Sequence, residues 1–297
     1  MEEIKRKIEQ LLLKTQKPAR YIGGEHGSVV KDKSEVDVRF AFCFPDVYDV
    51  GMSHLGMKIL YGLKNSVPNW WCERVFMPEK DFEAHMRENN IPLYALESLD
   101  PLTEFDFIGF TLQYELSYTN VLAMLDLAGL PIYAKDRKAL TPIVVGGGPC
   151  VCNPEPMADF FDLFIIGEGE EVNIELLSLY EKMKPCNPSK EEFLREAAKI
   201  EGIYVPSFYN VEYNGDGTVR SVTPNIPEAP ERVKKRVIRD FNKVYYPESF
   251  VVPFTGIVHD RAVVEVLRGC IRGCRFCQAG FISVSYTHLR AHETCAD

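Results

Sequence analysis

The chain has 297 residues, enough for two domains, and its 46% hydrophobic and 26% charged residues are the balance of an ordinary folded protein. A net charge of −9 argues against general nucleic-acid binding, no clear nucleic-acid site stands out, and no apolar run approaches the roughly twenty residues that cross a bilayer. The charged N-terminus lacks the apolar core of a signal peptide, so a cytoplasmic location is expected. There the nine cysteines should be reduced, and clustered ones point to metal or redox chemistry.

Ile4, Ile8, Leu11 and Leu12 fall on one helical face, so a short amphipathic helix opens the chain and ends before Pro18. The glycine-rich YIGGEHGS (21–28) has no preceding strand and no Lys-Ser/Thr, which argues against a phosphate loop and favours a surface loop. From Val36 strands and helices alternate. VRFAFCF (38–44) reads as a buried strand closed by Pro45-Asp46, and 50–65 as a helix with Met52, Leu55, Ile59, Leu60 and Leu63 on its apolar side. A strand (72–78), a helix (79–90) and an extended piece (92–98) follow. Then come a strand (105–113), a helix (117–129) closed by Gly129, a strand running into glycines (142–148), and a strand opening a further helix (162–171). Near-continuous apolar strands separated by helices predict an α/β fold. We expect a Rossmann-like, doubly wound parallel sheet over 36–185, preceded by a helix and arm at 1–35.

Composition shifts after Lys182. Residues 186–250 read as a connector containing a polar helix and a β-hairpin that turns at Asn214-Gly215-Asp216-Gly217. The basic run within 225–243 reads as a solvated face. RAVVEVL (261–267) is again a strand pattern and belongs to a last native segment, 251–282. Among the scattered cysteines, Cys43 reads as a buried inert thiol, and Cys150 and Cys152 as structural.

Ligands of open α/β sheets bind outside the carboxyl ends of the strands, where the strand order reverses. Three such ends stand out: Thr111-Leu112-Gln113, Gly146-Gly147-Gly148-Pro149 and Gly167-Glu168-Gly169-Glu170. Glycines let backbone approach a ligand closely, which makes Thr111, Gly146, Gly147, Gly148, Gly167 and Glu168 candidate cofactor-binding residues. Glu168, Glu170 and Glu171 suit a helix start but would repel a phosphate, against an ordinary nucleotide site. The arrangement resembles the cobalamin-binding domain that precedes the barrel in many radical S-adenosylmethionine enzymes. It departs from that family's cobalt-ligating D-x-H-x-x-G pattern, because His54 in GMSHLG has Met52 at the Asp position. His54 is therefore expected to be a helix residue. The domain either binds cobalamin without a histidine ligand or keeps the fold alone.

LRGCIRGCRFCQAGF (267–281) carries Cys270, Cys274 and Cys277 in a C-x3-C-x2-C spacing. So short a spacing lets one loop wrap several corners of an iron–sulfur cube. Three ligands leave one metal position open, as a reactive site needs. With Phe276 before the last cysteine, the stretch is identified as the signature of the radical S-adenosylmethionine superfamily. YIGGEHGSVVKD, FPDVYDVGMSHLGMKILY and GFTLQYELSYTNVL are similar to one subfamily of those enzymes. The resemblance implies a 4Fe-4S cluster on Cys270, Cys274 and Cys277, with S-adenosylmethionine on the free iron and the Phe276 backbone near its adenine. It further implies reductive cleavage to a 5′-deoxyadenosyl radical, hydrogen abstraction from a substrate the sequence does not name, and an electron donor of flavodoxin or ferredoxin type.

A full barrel needs on the order of 200 residues, so the chain reads as the N-terminal portion of such an enzyme, inactive alone, ending in the first barrel strand and cluster loop. SVSYTHLRAHETCAD (283–297) continues no strand-turn-helix logic and reads as a tail foreign to the native sequence. Two other readings stand beside this one. Residues 36–185 could form a standalone cobalamin or partner-binding module. Alternatively Cys274, Cys277, His288 and His292 could hold zinc, although the spacing before His288 is shorter than the usual roughly twelve residues and Cys270 is left over.

Overall fold

A computed structural model describes residues 2–261 and, beyond them, 263–265, 267–270, 272, 274–278, 282 and 288–289. Helix α1 (Glu2–Leu12) buries Ile8 and Leu11. The α/β alternation then runs β1 (Val38–Phe44), α2 (Tyr48–Gly51), α3 (Leu55–Asn65), β2 (Trp70–Phe76), α4 (Lys80–Glu88), β3 (Phe107–Thr111), α5 (Tyr118–Leu127), β4 (Ile143–Gly147), β5 (Leu163–Ile165) and α6 (Gly169–Met183). After these come α7 (Lys190–Ala197), β6 (Ile203–Tyr204), a hairpin of β7 (Tyr209–Tyr213) and β8 (Val219–Pro224), and β9 (Leu267–Arg268).

One six-stranded sheet forms in the order β2-β1-β3-β4-β5-β6, with β1 to β5 parallel and β6 antiparallel to β5. This is the doubly wound order whose direction reverses between β1 and β3. The strands need no polar alternation, because helices cover both faces: α3 packs on α6 and α6 on α7, while α1 packs on α4. Phe107 shows how the layers lock. Its ring lies 4.9 Å from Tyr180 of α6 and 6.1 Å from Phe193 of α7, both edge-on. Burying an aromatic or branched side chain of this kind contributes about 1.5–3 kcal/mol.

Several expectations change. The helix foreseen at 50–65 is two helices, because α2 stops at Gly51 and His54 starts α3 afresh by accepting the Met57 N–H on Nδ1 at 3.1 Å. The YIGGEHGS stretch is no surface loop. Glu25 within it is buried, pairs with Arg74 at 2.7 Å, and accepts the Tyr48 hydroxyl at 2.8 Å. Burial works against its ionisation, but the hydrogen bonds and charge of Arg74 outweigh it and hold the carboxyl below the usual range. The sheet also continues past residue 185, since β6 adds its edge strand and Phe193 of α7 is fully buried beneath a Ser189–Glu192 capping box. The hairpin turns at 214–217 as the sequence suggests. Of the strand foreseen at 261–267, positions 262 and 266 lie outside the described residues, and Leu267 falls in β9 (Leu267–Arg268), which pairs with β10 (His288–Leu289). Apart from those two residues, the 283–297 tail, with His292 and Cys295, lies outside the described residues. No helix among the described residues is long and apolar enough to cross a membrane.

Candidate functional site

Because β1, β3, β4 and β5 are parallel, their carboxyl ends meet at one edge, and the segments after them enclose a cavity of about 550 Å³. Its floor is Phe40 and Phe42 of β1, which point to the same face as alternate residues of one strand. Gly109 of β3 makes room for this floor, since a Cβ there would stand 2.3 Å from the Phe40 ring. The α3 wall brings Leu55, Ile59, Leu60 and Lys64. Thr111, Gly147, Gly148, Gly167 and Glu168 all reach the lining. Gly146 does not: a Cβ there would stand 2.5 Å from Phe164, so its lack of a side chain serves ring packing on the far side.

The glycines that do line the cavity also hold the turns. Gly148 has φ +98°, and a Cβ there would stand 2.7 Å from the Leu112 carbonyl. That carbonyl accepts the Cys150 N–H at 3.1 Å, while the Leu112 N–H donates to the Gly147 carbonyl at 2.7 Å. The turns after β3 and β4 are thus laced together, with the Gln113 amide donating to the Thr111 hydroxyl at 2.6 Å. His54 is half-buried on the cavity wall. Burial pushes its imidazole pKa down and the Gln113 side chain pulls it back in part.

Glu168 and Glu170 are committed to protein partners. The Glu168 carboxylate accepts the Ile238 N–H, and the Glu168 N–H donates to the Arg236 carbonyl at 3.0 Å. Arg236 itself pairs with Glu171 at 2.7 Å and Glu175 at 2.6 Å. Arg236 therefore seals the end of β5, whereas Arg232, Lys234, Arg239 and Lys243 of the same basic run are exposed, as a solvated face would be. Arg268, two residues before Cys270, reaches the same turn. It pairs with Glu168 at 3.3 Å, with Glu170, and with Glu265 at 2.6 Å, and lies over the Phe241 ring at 5.1 Å. Burial alone would lower its pKa, but Glu265 and Glu170 outweigh that and raise it. The strand that leads into the three-cysteine stretch is thereby moored to the sheet's carboxyl edge by an ion-pair triad.

Cys270, Cys274 and Cys277 are all exposed, with the Cys277 N–H donating to the Cys274 carbonyl at 3.0 Å. Phe276 sits at the tip of that turn, 92% exposed. Among the described residues no three His, Cys, Asp or Glu side chains are gathered for a metal. The donor set itself, three soft thiols within one short loop, is the kind an iron–sulfur cluster takes. The cobalamin features do not fit in the same way. His54 has spent Nδ1 on its helix cap, and Glu168 is held by Ile238 and Arg268.

One group that the sequence reading passed over is Lys64. It looks like a solvent-facing helix lysine, yet it is 1% exposed, its ammonium 4.4 Å above the Phe40 ring and 4.7 Å above Phe42. Burial drives its pKa down to about 8, opposed by the charges of Cys72 and Glu170. The signal that could have found it is its spacing: Lys64 follows Leu60 by four residues and Ile59 by five, close to the apolar stripe of α3.

A doubly wound α/β domain is thus tied at the carboxyl edge of its sheet to the stretch that carries three cysteines. Residues 56–206, about half of the chain, match the family model of radical SAM proteins, N-terminal, and the chain belongs to that family. It is also similar to an uncharacterised protein of Methanocaldococcus jannaschii, 32% identical over 198 residues, covering 65% of this chain and 34% of that protein. The chain thus spans about a third of the length of the curated relative it matches. No solved structure matches it.

Proposed function

We propose that the intact parent is a radical S-adenosylmethionine enzyme in which Cys270, Cys274 and Cys277 hold a 4Fe-4S cluster and the open iron takes S-adenosylmethionine. When bound, the cluster would supply one electron to the sulfonium, breaking its C5′–S bond to give methionine and a 5′-deoxyadenosyl radical that takes hydrogen from the substrate. The electron would come from a flavodoxin- or ferredoxin-type donor in the cytoplasm. The Phe276 backbone would lie beside the adenine. The observation that carries the reading is the C-x3-C-x2-C spacing in a chain of this family. The mooring of Arg268 supports it by fixing the approach to Cys270, so that the loop leaves the sheet from a held point. The role of this chain's residues would be to position the loop; the substrate would meet barrel residues beyond them.

Anaerobic reconstitution of the parent protein with iron and sulfide tests this reading. Alanine at Cys270, Cys274 or Cys277 should each abolish the oxygen-sensitive thiolate-to-iron absorbance of the parent, whereas in the present 297-residue chain Cys295→Ala should leave any such absorbance intact. One zinc and no iron in the native parent, lost with His288 and His292, would refute it.

A further inference from the structure

Lys64 is a cation with nothing to bind. Its three N–H donors make no hydrogen bond or ion pair among the described residues, and the two aromatic faces beneath it accept charge but fill no donor direction. Glu170, the carboxylate whose charge reaches it, is taken by Arg268. Of the other cations at the cavity, Arg236 is matched by Glu171 and Glu175 and Arg268 by its triad, while Lys235 donates to the Ile282 carbonyl at 3.4 Å. A buried, unmatched ammonium is costly unless a partner arrives. The space before it is of ligand size and mostly apolar, walled by Ile59, Leu60, Phe110, Val145 and Ile165.

We propose that this cavity binds a small organic anion, a planar apolar body carrying one carboxylate, sulfonate or phosphate group, whose charge pairs with Lys64 while the body lies over Phe40 and Phe42. The cavity shares Arg268 and Gly269 with the approach to the cysteine loop, but none of the three loop cysteines lines it and the proposed contacts are at Lys64, Phe40 and Phe42.

The test uses the full chain and two fluorescent probes with one aromatic frame, 8-anilinonaphthalene-1-sulfonate and the neutral N-phenyl-1-naphthylamine. Wild type should bind the sulfonate with one-to-one stoichiometry and prefer it to the neutral probe at least about tenfold at pH 7. That preference should fade as pH rises past about 8, where the Lys64 ammonium loses its proton. Lys64→Met should erase the preference and keep the neutral probe, while Lys64→Arg should retain it. Gly147→Leu, which puts a side chain into open space at the cavity wall, should block both probes. Equal binding of the two probes by wild type, no binding by wild type, or an unchanged preference in Lys64→Met would each overturn the proposal. So would displacement of the sulfonate by hydroxocobalamin from both wild type and Lys64→Met, since that would assign the cavity to a corrin's nucleotide arm.

Discussion

Replacing Lys64 with methionine should stabilise the protein, and the size and pH dependence of the gain follow from where the amine sits. In the unfolded chain the amine titrates near 10.5; in the fold its pKa falls to about 8. That difference corresponds to about 3 kcal/mol against folding whenever the amine is charged in both states. The two cation–π contacts return on the order of 1 kcal/mol or more, so the net gain for Lys64→Met is about 1–2 kcal/mol at pH 7. For a chain of this size that raises the melting temperature by about 2–8 °C. Methionine keeps the unbranched stem against Phe40 and Phe42, so no large void opens. The sign with pH is fixed. Below pH 8 both states of wild type are protonated and the penalty is full and constant. Between pH 8 and 10.5 the unfolded state holds more protons, so wild-type stability rises relative to the variant and the gap closes. Groups that titrate alike in both proteins cancel in the difference. Urea unfolding followed by the fluorescence of the buried Trp70 and Trp71, at pH 7, 8, 9 and 10, measures it directly. A variant less stable than wild type at pH 7, or a gap that does not shrink toward pH 10, would refute the argument.

Arg268→Gln strips the cation from three carboxylates, of which Glu168 and Glu170 are mostly buried; it should cost about 2 kcal/mol and speed hydrogen exchange at 267–270. Gly167→Ala forces a Cβ to within 2.2 Å of the Arg236 carbonyl at φ +110°, so the denaturant midpoint should fall by an amount equivalent to at least about 2 kcal/mol. His54→Ala removes the α3 cap at a cost of about 1 kcal/mol, read from the same midpoint. Because burial lowers the His54 pKa below 6.5, wild type should lose stability as pH falls through and below that value, and the variant should lose less; if cobalamin binds at all, this substitution should leave its affinity within a few-fold.

The sheet was legible because β1, β3 and β4 are short, nearly continuous apolar runs rich in β-branched and aromatic residues and bounded by turn residues, the pattern of strands buried on both faces. The meeting of Thr111, Gly147, Gly148 and Gly167 followed from parallel direction alone, since such strands end together. What stayed hidden depends on distant partners. Glu25 looks like loop polarity until Arg74, 49 residues on, neutralises it in the core. Strand β6 has only two residues, too few for any period to register. Lys64 carries the signature of a surface residue, and its burial is set by two phenylalanines on another element. Gly146 was read with its neighbours as a ligand turn, but which side of a strand end a missing Cβ serves depends on the ring opposite, here Phe164.

The acidic turn after β5 acquires its counter-ions out of order. The Ile238 N–H that caps Glu168 lies 70 residues downstream, and the Arg268 guanidinium that meets Glu170 lies 98 downstream. A chain made from its N-terminus can close all six sheet strands once Tyr204 has emerged, well before either partner exists. During that interval Glu168, Glu170, Glu171 and Glu175 stand together at the start of α6 as a bare negative rim. The connector neutralises part of it through Arg236, and Arg268 completes it, so the residues that lead into the cysteine loop are drawn to a nascent domain already charged to receive them.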